Sequence, residues 1–234
     1  RDRNNRRCAN ASGVIDGTAD DLNGLINFIR GQDYFDYDGD CNLTETRDNP
    51  LGDIYHSQLV VVGAPSAEDS FISANQEAYF RKVNNYKAFA QQYAQRREII
   101  YAGSNSGILH AFDSSTGKEI WGFVPPLIAP NLPKVMNASL NMSKGGTNAM
   151  FGVDGSIVIH DMYFKSPLKN SKGWHTILFA PYGRGGAGFS VLDVTDPDKP
   201  EHLFSIYNDI TNNKMYIMDH KQNVAVHDYR PTSY

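Results

Sequence analysis

The chain has 234 residues and a net charge of −4, with 26 acidic against 22 basic side chains. Nucleic-acid binding requires clustered Lys and Arg, and these occur only as the pairs Arg6-Arg7 and Arg96-Arg97, so the composition disfavours a nucleic-acid partner. No apolar run approaches the ~20 residues that a membrane-spanning helix needs, and we therefore expect no membrane span in this chain.

The first predicted element is a short amphipathic helix that follows a polar, irregular arm at residues 1–17. Residues 18–21 supply a polar N-cap, and Gly31 is a typical C-terminal stop. The predicted role of the helix is to cover a sheet face or a sheet edge. Its buried face is predicted from four apolar residues at helical spacing, which are Leu22, Leu25, Ile26 and Ile29.

An acidic loop follows the helix and carries oxygen donors at alternate positions. Alternate oxygens in a tightly curled loop converge on one hard cation, as in an EF-hand loop, so this spacing predicts a calcium site. The match is incomplete, because an EF-hand loop has an acidic residue at its twelfth position and this chain has Arg47 there. The other interpretation is a solvated surface loop held by Asx turns. The predicted ligands are Asp36, Asp38, Asp40, Asn42 and Glu45.

Residues 54–63 predict a strand that Pro65 ends. The next segment, residues 75–97, predicts the one long helix, because aromatic and apolar residues recur in it with the 3.6-residue period. We interpret this stripe as a face that packs on the protein's own sheet, the alternative being a groove for a partner. The stripe consists of Tyr79, Val83, Tyr86, Phe89 or Ala90, and Tyr93.

Residues 99–123 predict an antiparallel meander of three short strands on tight turns, with no helical period. The plan recurs at residues 177–206: a strand, a Gly-rich turn, a strand ending in Asp113 or Asp193, a second turn, and a strand with an aromatic residue. A repeated unit that cannot bury its sheet faces alone predicts a propeller or another stacked β array. Residues 151–164 and a later hairpin near residues 215–226 add further strand character.

The sequence offers no convincing catalytic constellation. His56 and Ser57 are adjacent, and on a strand neighbours point to opposite faces. The sequence lacks a Gly-x-Ser-x-Gly elbow and a phosphate-binding loop, and residues 183–186 are interpreted as a β turn. His110 and His160 each precede an Asp, which permits a His–Asp pair, but we interpret both as structural histidines. We therefore expect no catalytic residues.

The same segments carry a family resemblance. The stretch YAGSNSGILHAFDSSTGKEIWGFVP, residues 101–125, resembles the propeller signature of the PilY1/PilC family of type IV pilus tip proteins. Three more stretches fit the family in order: LGDIYHSQLVVVGAP at 51–65, GVDGSIVIHDMYF at 152–164 and GRGGAGFSVLDVTDP at 183–197; an Arg-Gly helix end at residues 30–31 precedes them. One departure is Ser106, where the family usually has Asp.

The resemblance implies a mainly β fold: a β-propeller-like domain with quinoprotein-type blades, incomplete here, and inserted helices. All 234 residues would belong to part of one such domain. Residues 1–50 would form the arm, the helix and the acidic loop, and residues 51–234 the blades, with a helical insertion near residues 75–97. A seven-bladed propeller needs on the order of 300 residues, so we expect this chain to be a piece of a longer protein.

The resemblance also implies an exported protein that reaches the cell surface at the tip of a type IV pilus, in transit through the periplasm or outer membrane. Its implied roles are pilus assembly against retraction, adhesion and twitching motility, by binding without chemistry. The implied partners are pilin and minor pilin subunits and a host or abiotic surface. Export favours a disulfide between Cys8 and Cys41, the alternative being two unpaired thiols. The calcium prediction at Asp36–Glu45 rests on spacing alone.

Two other functions share these blades. A quinoprotein dehydrogenase would bind pyrroloquinoline quinone, and the Thr-Gly-x-x-x-Trp turn at residues 116–121 occurs in that group as well. Such enzymes often carry adjacent cysteines, which this chain lacks. The third hypothesis is a periplasmic propeller scaffold that holds other proteins. Because one fold serves all three functions, the fold alone does not choose between them.

Overall fold

The computed structural model describes residues 19–34, 40, 42–70, 75–136, 147–148, 150–169 and 171–228. Two antiparallel sheets dominate it, with short helices between the strands. The helices are α1 (Ala19–Ile29), α2 (Gln76–Val83) and α3 (Tyr86–Gln92), and 3-10 turns lie at Ala129–Val135 and Gly183–Gly185. The strands are β1 (Val60–Val62), β2 (Ile99–Gly103), β3 (Leu109–Asp113), β4 (Glu119–Phe123), β5 (Val158–Lys165), β6 (Lys172–Pro181), β7 (Ala187–Asp193), β8 (Glu201–Asp209), β9 (Lys214–Asp219) and β10 (Val224–Asp228).

Both sheets are meanders in which neighbours along the chain are neighbours in space. The first sheet has the order β1-β2-β3-β4, and the second has the order β10-β9-β8-β7-β6-β5. The two predicted three-strand units are therefore confirmed. The predicted hairpin near residues 215–226 is also confirmed, and it extends the second sheet outward from β8. Among the described residues, no helix is long and apolar enough to cross a membrane.

The two repeat units agree in detail at the aspartate that closes their middle strand. Asp113 pairs with Ile99, and Asp193 pairs with Ile177. In each unit the ladder to the next strand shifts register two residues before this aspartate, at Ala111 and at Val191. Each carboxylate then accepts a backbone N–H two residues on, at 2.9 Å in the first unit and 3.0 Å in the second. The register shift and the turn that the aspartate carboxylate stabilises thus occur together in both repeat units.

The main core lies between the two sheets. Tyr101 and Leu109 from the first sheet meet Leu178 and Leu192 from the second, and all four are essentially inaccessible to solvent. Burial of a side chain of this size contributes roughly 1.5–3 kcal/mol relative to full exposure. The alternation of the strands places their other side chains on the opposite sheet faces. Stacking of two repeat units is therefore the source of the core.

The buried face of α1 differs from the predicted one. Leu22 is 58% exposed and Ile26 is 38% exposed, whereas Phe28 is fully buried and packs with Tyr34 and the turn around Leu132. Leu25 and Ile29 are partly buried against the same cluster. The helix contacts the protein along the side that contains its one aromatic residue, because that side chain removes the most apolar surface from water.

The prediction of one long helix at residues 75–97 is wrong, because the helix is interrupted in its middle and ends at Gln92. The chain forms two helices, α2 and α3, that break at Asn85, whose φ is 54°. Asparagine tolerates this left-handed conformation better than most residues. Tyr86 and Phe89 are buried as predicted, and the Tyr86 ring packs against Trp174 of β6 at 4.9 Å between centroids. Tyr79 and Val83 of the predicted stripe are exposed.

The predicted strand at residues 54–63 is also shorter in the structure, where only Val60–Val62 pair with β2. Residues 54–59 approach the sheets as irregular chain. Their backbone and side chains bond instead to two turns of the sheets. This loop brings its polar residues to the site described next.

Candidate functional site

Four loops meet at one end of the two sheets, and we call them together the loop cluster. They are residues 51–57 before β1, 103–107 between β2 and β3, 150–155 before β5, and 182–186 between β6 and β7. They lie at the same end because β1 begins opposite the end of β2, and β5 begins opposite the end of β6. Loops at the ends of rigid sheets are a frequent location of binding residues.

Glycines let the backbones of these loops touch directly. A Cβ on Gly103 would lie 2.1 Å from the carbonyl oxygen of Val153, and one on Gly185 would lie 2.0 Å from that of Gly152. A Cβ on Gly152 would lie 2.3 Å from the Cα of Gly107. Such distances are far below van der Waals contact, so any side chain at these positions would force the loops apart. The glycine-rich turns of the sequence are therefore explained by close approach.

Backbone and side-chain hydrogen bonds tie the first loop to the others. Asn105 donates its backbone N–H to the carbonyl oxygen of Asp53 at 2.7 Å. The backbone N–H of Gly103 donates to Ser57 Oγ at 2.8 Å. His56 Nδ1 lies 3.0 Å from Asp154 Oδ2, and the Asp154 side chain is only 2% exposed whereas that of His56 is 41% exposed. The loop cluster thus presents one imidazole to solvent and holds it on a buried carboxylate.

A second polar chain lies within the first sheet, beside the turn at residues 103–107. His110 is buried, with its Nδ1 2.6 Å from Glu119 Oε1 and its Nε2 3.0 Å from Ser104 Oγ. Ser104 Oγ is also 2.7 Å from the hydroxyl oxygen of Ser106. Ser106, which departs from the family pattern, is therefore the last member of a hydrogen-bond chain that runs through Ser104 and His110 to Glu119. This arrangement supports the interpretation of His110 as a structural histidine.

The two His–Asp pairs that the sequence permits, at residues 110 and 113 and at residues 160 and 161, do not form among the described residues. His110 pairs with Glu119, as described, and not with Asp113. Asp161 accepts hydrogen bonds from the hydroxyl groups of Tyr86 and Thr176, the latter at 2.6 Å. Among the described residues, Asp161 forms no ion pair with His160, its neighbour on β5.

Sequence reasoning missed the most deeply buried of the His–carboxylate pairs in the described residues. His175 Nδ1 is 2.6 Å from Asp193 Oδ2, and both side chains are almost completely buried. Burial alone would raise the pKa of Asp193, but hydrogen bonds from His175 and Thr195 outweigh it and hold the pKa below its ordinary value. Once Ile177 is known to pair with Asp193, the two-residue periodicity puts His175 on the same face, so the strand register is the signal that would have found this pair.

The acidic loop is described only in part. Asp36 and Asp38, and both cysteines, Cys8 and Cys41, lie outside the described residues. The backbone N–H of Asn42 donates to Asp40 Oδ1 at 2.7 Å, and the backbone N–H of Thr44 donates to Asn42 Oδ1 at 3.3 Å. These bonds form the Asx turns of the alternative interpretation.

Arg47 bears on the EF-hand comparison, since it stands where that loop would have its last acid. Its guanidinium group lies 4.0 Å over the Phe28 ring, and it donates to carbonyl oxygens of Phe28 and Pro50. Arg47 therefore holds the end of α1. Within the described part of the chain, no three His, Cys, Asp or Glu side chains form a group suited to a metal ion. The calcium site and the disulfide stay predictions.

Comparison with known proteins identifies the family. Residues 51–227 match the family model described as the PilY1 beta-propeller domain. The chain belongs to this family. The matched range contains both repeat units and all four loops of the cluster, so the PilY1-family segments named from the sequence are the segments that meet in space.

Curated PilY1-family relatives are similar over most of this chain. A type IV pilus biogenesis factor PilY1 homolog of Xylella fastidiosa (strain Temecula1) is 37% identical over 175 residues, which are 74% of this chain and 13% of the relative. The type IV pilus biogenesis factor PilY1 of Pseudomonas aeruginosa (strain UCBPP-PA14) is 34% identical over 200 residues, or 86% of this chain and 15% of the relative. The chain thus spans about a seventh of the length of these relatives.

A solved structure of a PilY1-family protein is also similar. The crystal structure of the Pseudomonas aeruginosa PilY1 C-terminal domain aligns with a TM-score of 0.43 and 21% identity, covering 74% of this chain and 38% of the other.

Proposed function

We propose that this chain is part of a type IV pilus biogenesis factor and that it acts in pilus assembly. The observation that carries the proposal is the family match over residues 51–227. Relatives with that name are 34–37% identical over 74–86% of this chain. The convergence of the family-specific segments in the loop cluster supports a shared role for that surface.

The proposed mode of action is binding by a rigid surface. Glycine-mediated backbone contacts fix the loops, so little conformational entropy would be lost when a partner binds. Tyr55 is 72% exposed and its ring packs edge-on against His56 at 4.3 Å, so the cluster offers an aromatic and an imidazole side by side. Tyrosine is enriched at protein interfaces. Pilin and minor pilin subunits are the proposed partners.

The proposal extends to export and a position at the pilus tip, where the protein would support adhesion to host or abiotic surfaces and twitching motility. Calcium bound by Asp36, Asp38, Asp40, Asn42 and Glu45 would order the acidic loop and regulate these activities, since a bound cation can switch loop order. A Cys8–Cys41 disulfide would fasten the arm to the same loop in an oxidising compartment.

Immunogold labelling of the full-length protein in its native cells tests this proposal. We expect label at pilus ends. Label confined to the periplasm of normally piliated cells would contradict the proposed role. In that case, an absorption spectrum of the purified protein would separate a quinoprotein, which carries a quinone chromophore, from a scaffold, which does not.

A further inference from the structure

A second surface feature lies away from the loop cluster, in a cleft between α2 and the strands β5 and β6. We call it the aromatic cleft. It has a volume of about 380 Å³ and is lined by residues of the first two turns of α2 and by four consecutive residues of β5. This volume falls near the lower end of the range of small-molecule sites.

Three aromatic rings line the aromatic cleft. Phe80 from α2 stands nearly perpendicular to Tyr163 and to Trp174, with centroid distances of 6.1 and 6.0 Å. Tyr163 and Trp174 are paired across β5 and β6, with their rings 5.4 Å apart. Phe80 remains 48% exposed although it belongs to an aromatic cluster. The cleft therefore offers a preformed apolar wall to a ligand.

The charged groups of the aromatic cleft are balanced. Arg81 binds Glu77 at 2.8 Å one helical turn away. The Asp161 carboxylate accepts hydrogen bonds from the hydroxyl groups of Tyr86 and Thr176. Arg96 donates to the same Thr176 hydroxyl at 2.7 Å, which places its guanidinium group close to Asp161. Each carboxylate of the lining is therefore compensated, Glu77 by Arg81 and Asp161 by Arg96, which lies outside the lining but interacts favourably with Asp161. A neutral ligand fits this electrostatic environment better than a cation or an anion does.

Polar groups with unused hydrogen-bonding capacity surround the aromatic wall. Gln76 and His160 both line the cleft and are exposed, and neither side chain makes a hydrogen bond to another described residue. An amide and an imidazole each supply both donor and acceptor functions. Hydroxyl groups are the ligand groups that match such mixed donors and acceptors, since each hydroxyl also donates and accepts.

We propose that the aromatic cleft binds a neutral carbohydrate, of the size of a mono- or disaccharide. One face of a pyranose ring carries C–H groups that pack on an aromatic ring, here Phe80, and its hydroxyl groups reach Gln76, Glu77 and His160. An extended peptide added beside β5, an edge strand among the described strands, is the competing occupant, and a cleft of 380 Å³ is small for it. The proposal is independent of the pilus role and goes beyond it.

Saturation-transfer NMR of the 234-residue chain with methyl glycosides of glucose, galactose, mannose and N-acetylglucosamine tests the proposal. We expect transfer from the protein to at least one glycoside. Tryptophan emission provides a second measurement, because the chain has only two tryptophans and one of them, Trp174, lines the cleft. In a Trp121→Phe variant, titration with the glycoside should change the emission of Trp174 and yield a Kd.

Two single variants of α2 complete the design. Phe80→Ala should weaken binding by at least about tenfold, the effect of losing roughly 1.4 kcal/mol of contact. Tyr79→Ala is the matched control, because Tyr79 is also aromatic and 48% exposed but does not line the cleft, and it should leave the Kd within about twofold. Absence of transfer and of emission change with all four glycosides up to about 50 mM, far above a millimolar Kd, would overturn the proposal. Equal weakening by both variants would overturn it as well.

Discussion

The substitution Asp193→Asn tests the buried His175–Asp193 pair. Asp193 Oδ2 lies 2.6 Å from His175 Nδ1, and Oδ1 accepts the backbone N–H and the hydroxyl of Thr195 at 3.0 and 2.5 Å. The asparagine keeps an oxygen for Thr195 but turns an NH₂ group toward His175. Loss of a buried, charge-assisted hydrogen bond should lower the free energy of unfolding by about 2–4 kcal/mol.

Urea unfolding followed by tryptophan emission measures this loss at pH 7. With a slope of about 2–3 kcal/mol/M, the midpoint should fall by about 1 M at an unchanged slope. Asp113→Asn is the matched control, since Asp113 holds the same place in the first repeat unit but its carboxylate caps an exposed turn. Asparagine also forms Asx turns, so the control should lose less stability. Equal midpoints for Asp193→Asn and the wild-type chain would refute the reasoning.

The same variant has an expected pH dependence. The pKa of Asp193 is held below its ordinary value of 3.8. A carboxyl group with a lowered folded pKa contributes its full stability above its unfolded pKa and loses it as the pH falls through the folded pKa. The stability difference between the wild-type chain and Asp193→Asn should therefore shrink as the pH falls below about 4. A difference that grows as the pH falls below about 4 would contradict this account.

Three further predictions concern other parts of the fold. Gly103→Ala should lower the free energy of unfolding in urea by about 2–4 kcal/mol, because its Cβ would overlap the carbonyl of Val153. The control Gly173→Ala should be neutral or slightly stabilising, because the nearest atom to its Cβ would be 3.9 Å away. Similar losses for both variants would contradict the close-approach argument. Tyr86→Phe should lower the thermal midpoint through the loss of about 1–2 kcal/mol of hydrogen bonding to Asp161, and an unchanged midpoint would contradict it. Asp38→Ala should abolish saturable calcium binding in calorimetry, and unchanged binding would disprove the predicted site.

The repeat units could be predicted from the sequence because both signals for them are local. Alternating β-branched and aromatic residues mark the strands, and the Gly-rich turns and the closing aspartates mark their ends. The break between α2 and α3 was not predicted, because the hydrophobic period continues through Asn84 and Asn85. Contacts with the second sheet decide it: Trp174 Nε1 donates to the carbonyl oxygen of Asn84 at 2.8 Å, which favours a helix end there. Tertiary contacts thus override local periodicity.

The candidate site could be predicted only in part. The loop segments were recognisable by family resemblance, but their convergence depends on the strand register, which one sequence does not reveal. His56 illustrates the difficulty, since it lies 98 positions from its partner Asp154 along the chain. The predicted strand at residues 54–63 would point the side chains of His56 and Ser57 to opposite faces of a sheet. In the structure, irregular backbone sends their side chains to Asp154 and to the backbone of Gly103 instead.

Piliation of the native cells tests the central claim most directly. Pili are counted by electron microscopy in a strain that lacks the full-length protein, in the complemented strain, and in a deletion strain whose pili also cannot retract. The account predicts few or no surface pili after deletion, recovery on complementation, and partial recovery when retraction is disabled. Normal pilus numbers in the deletion strain would contradict the proposed role in pilus assembly.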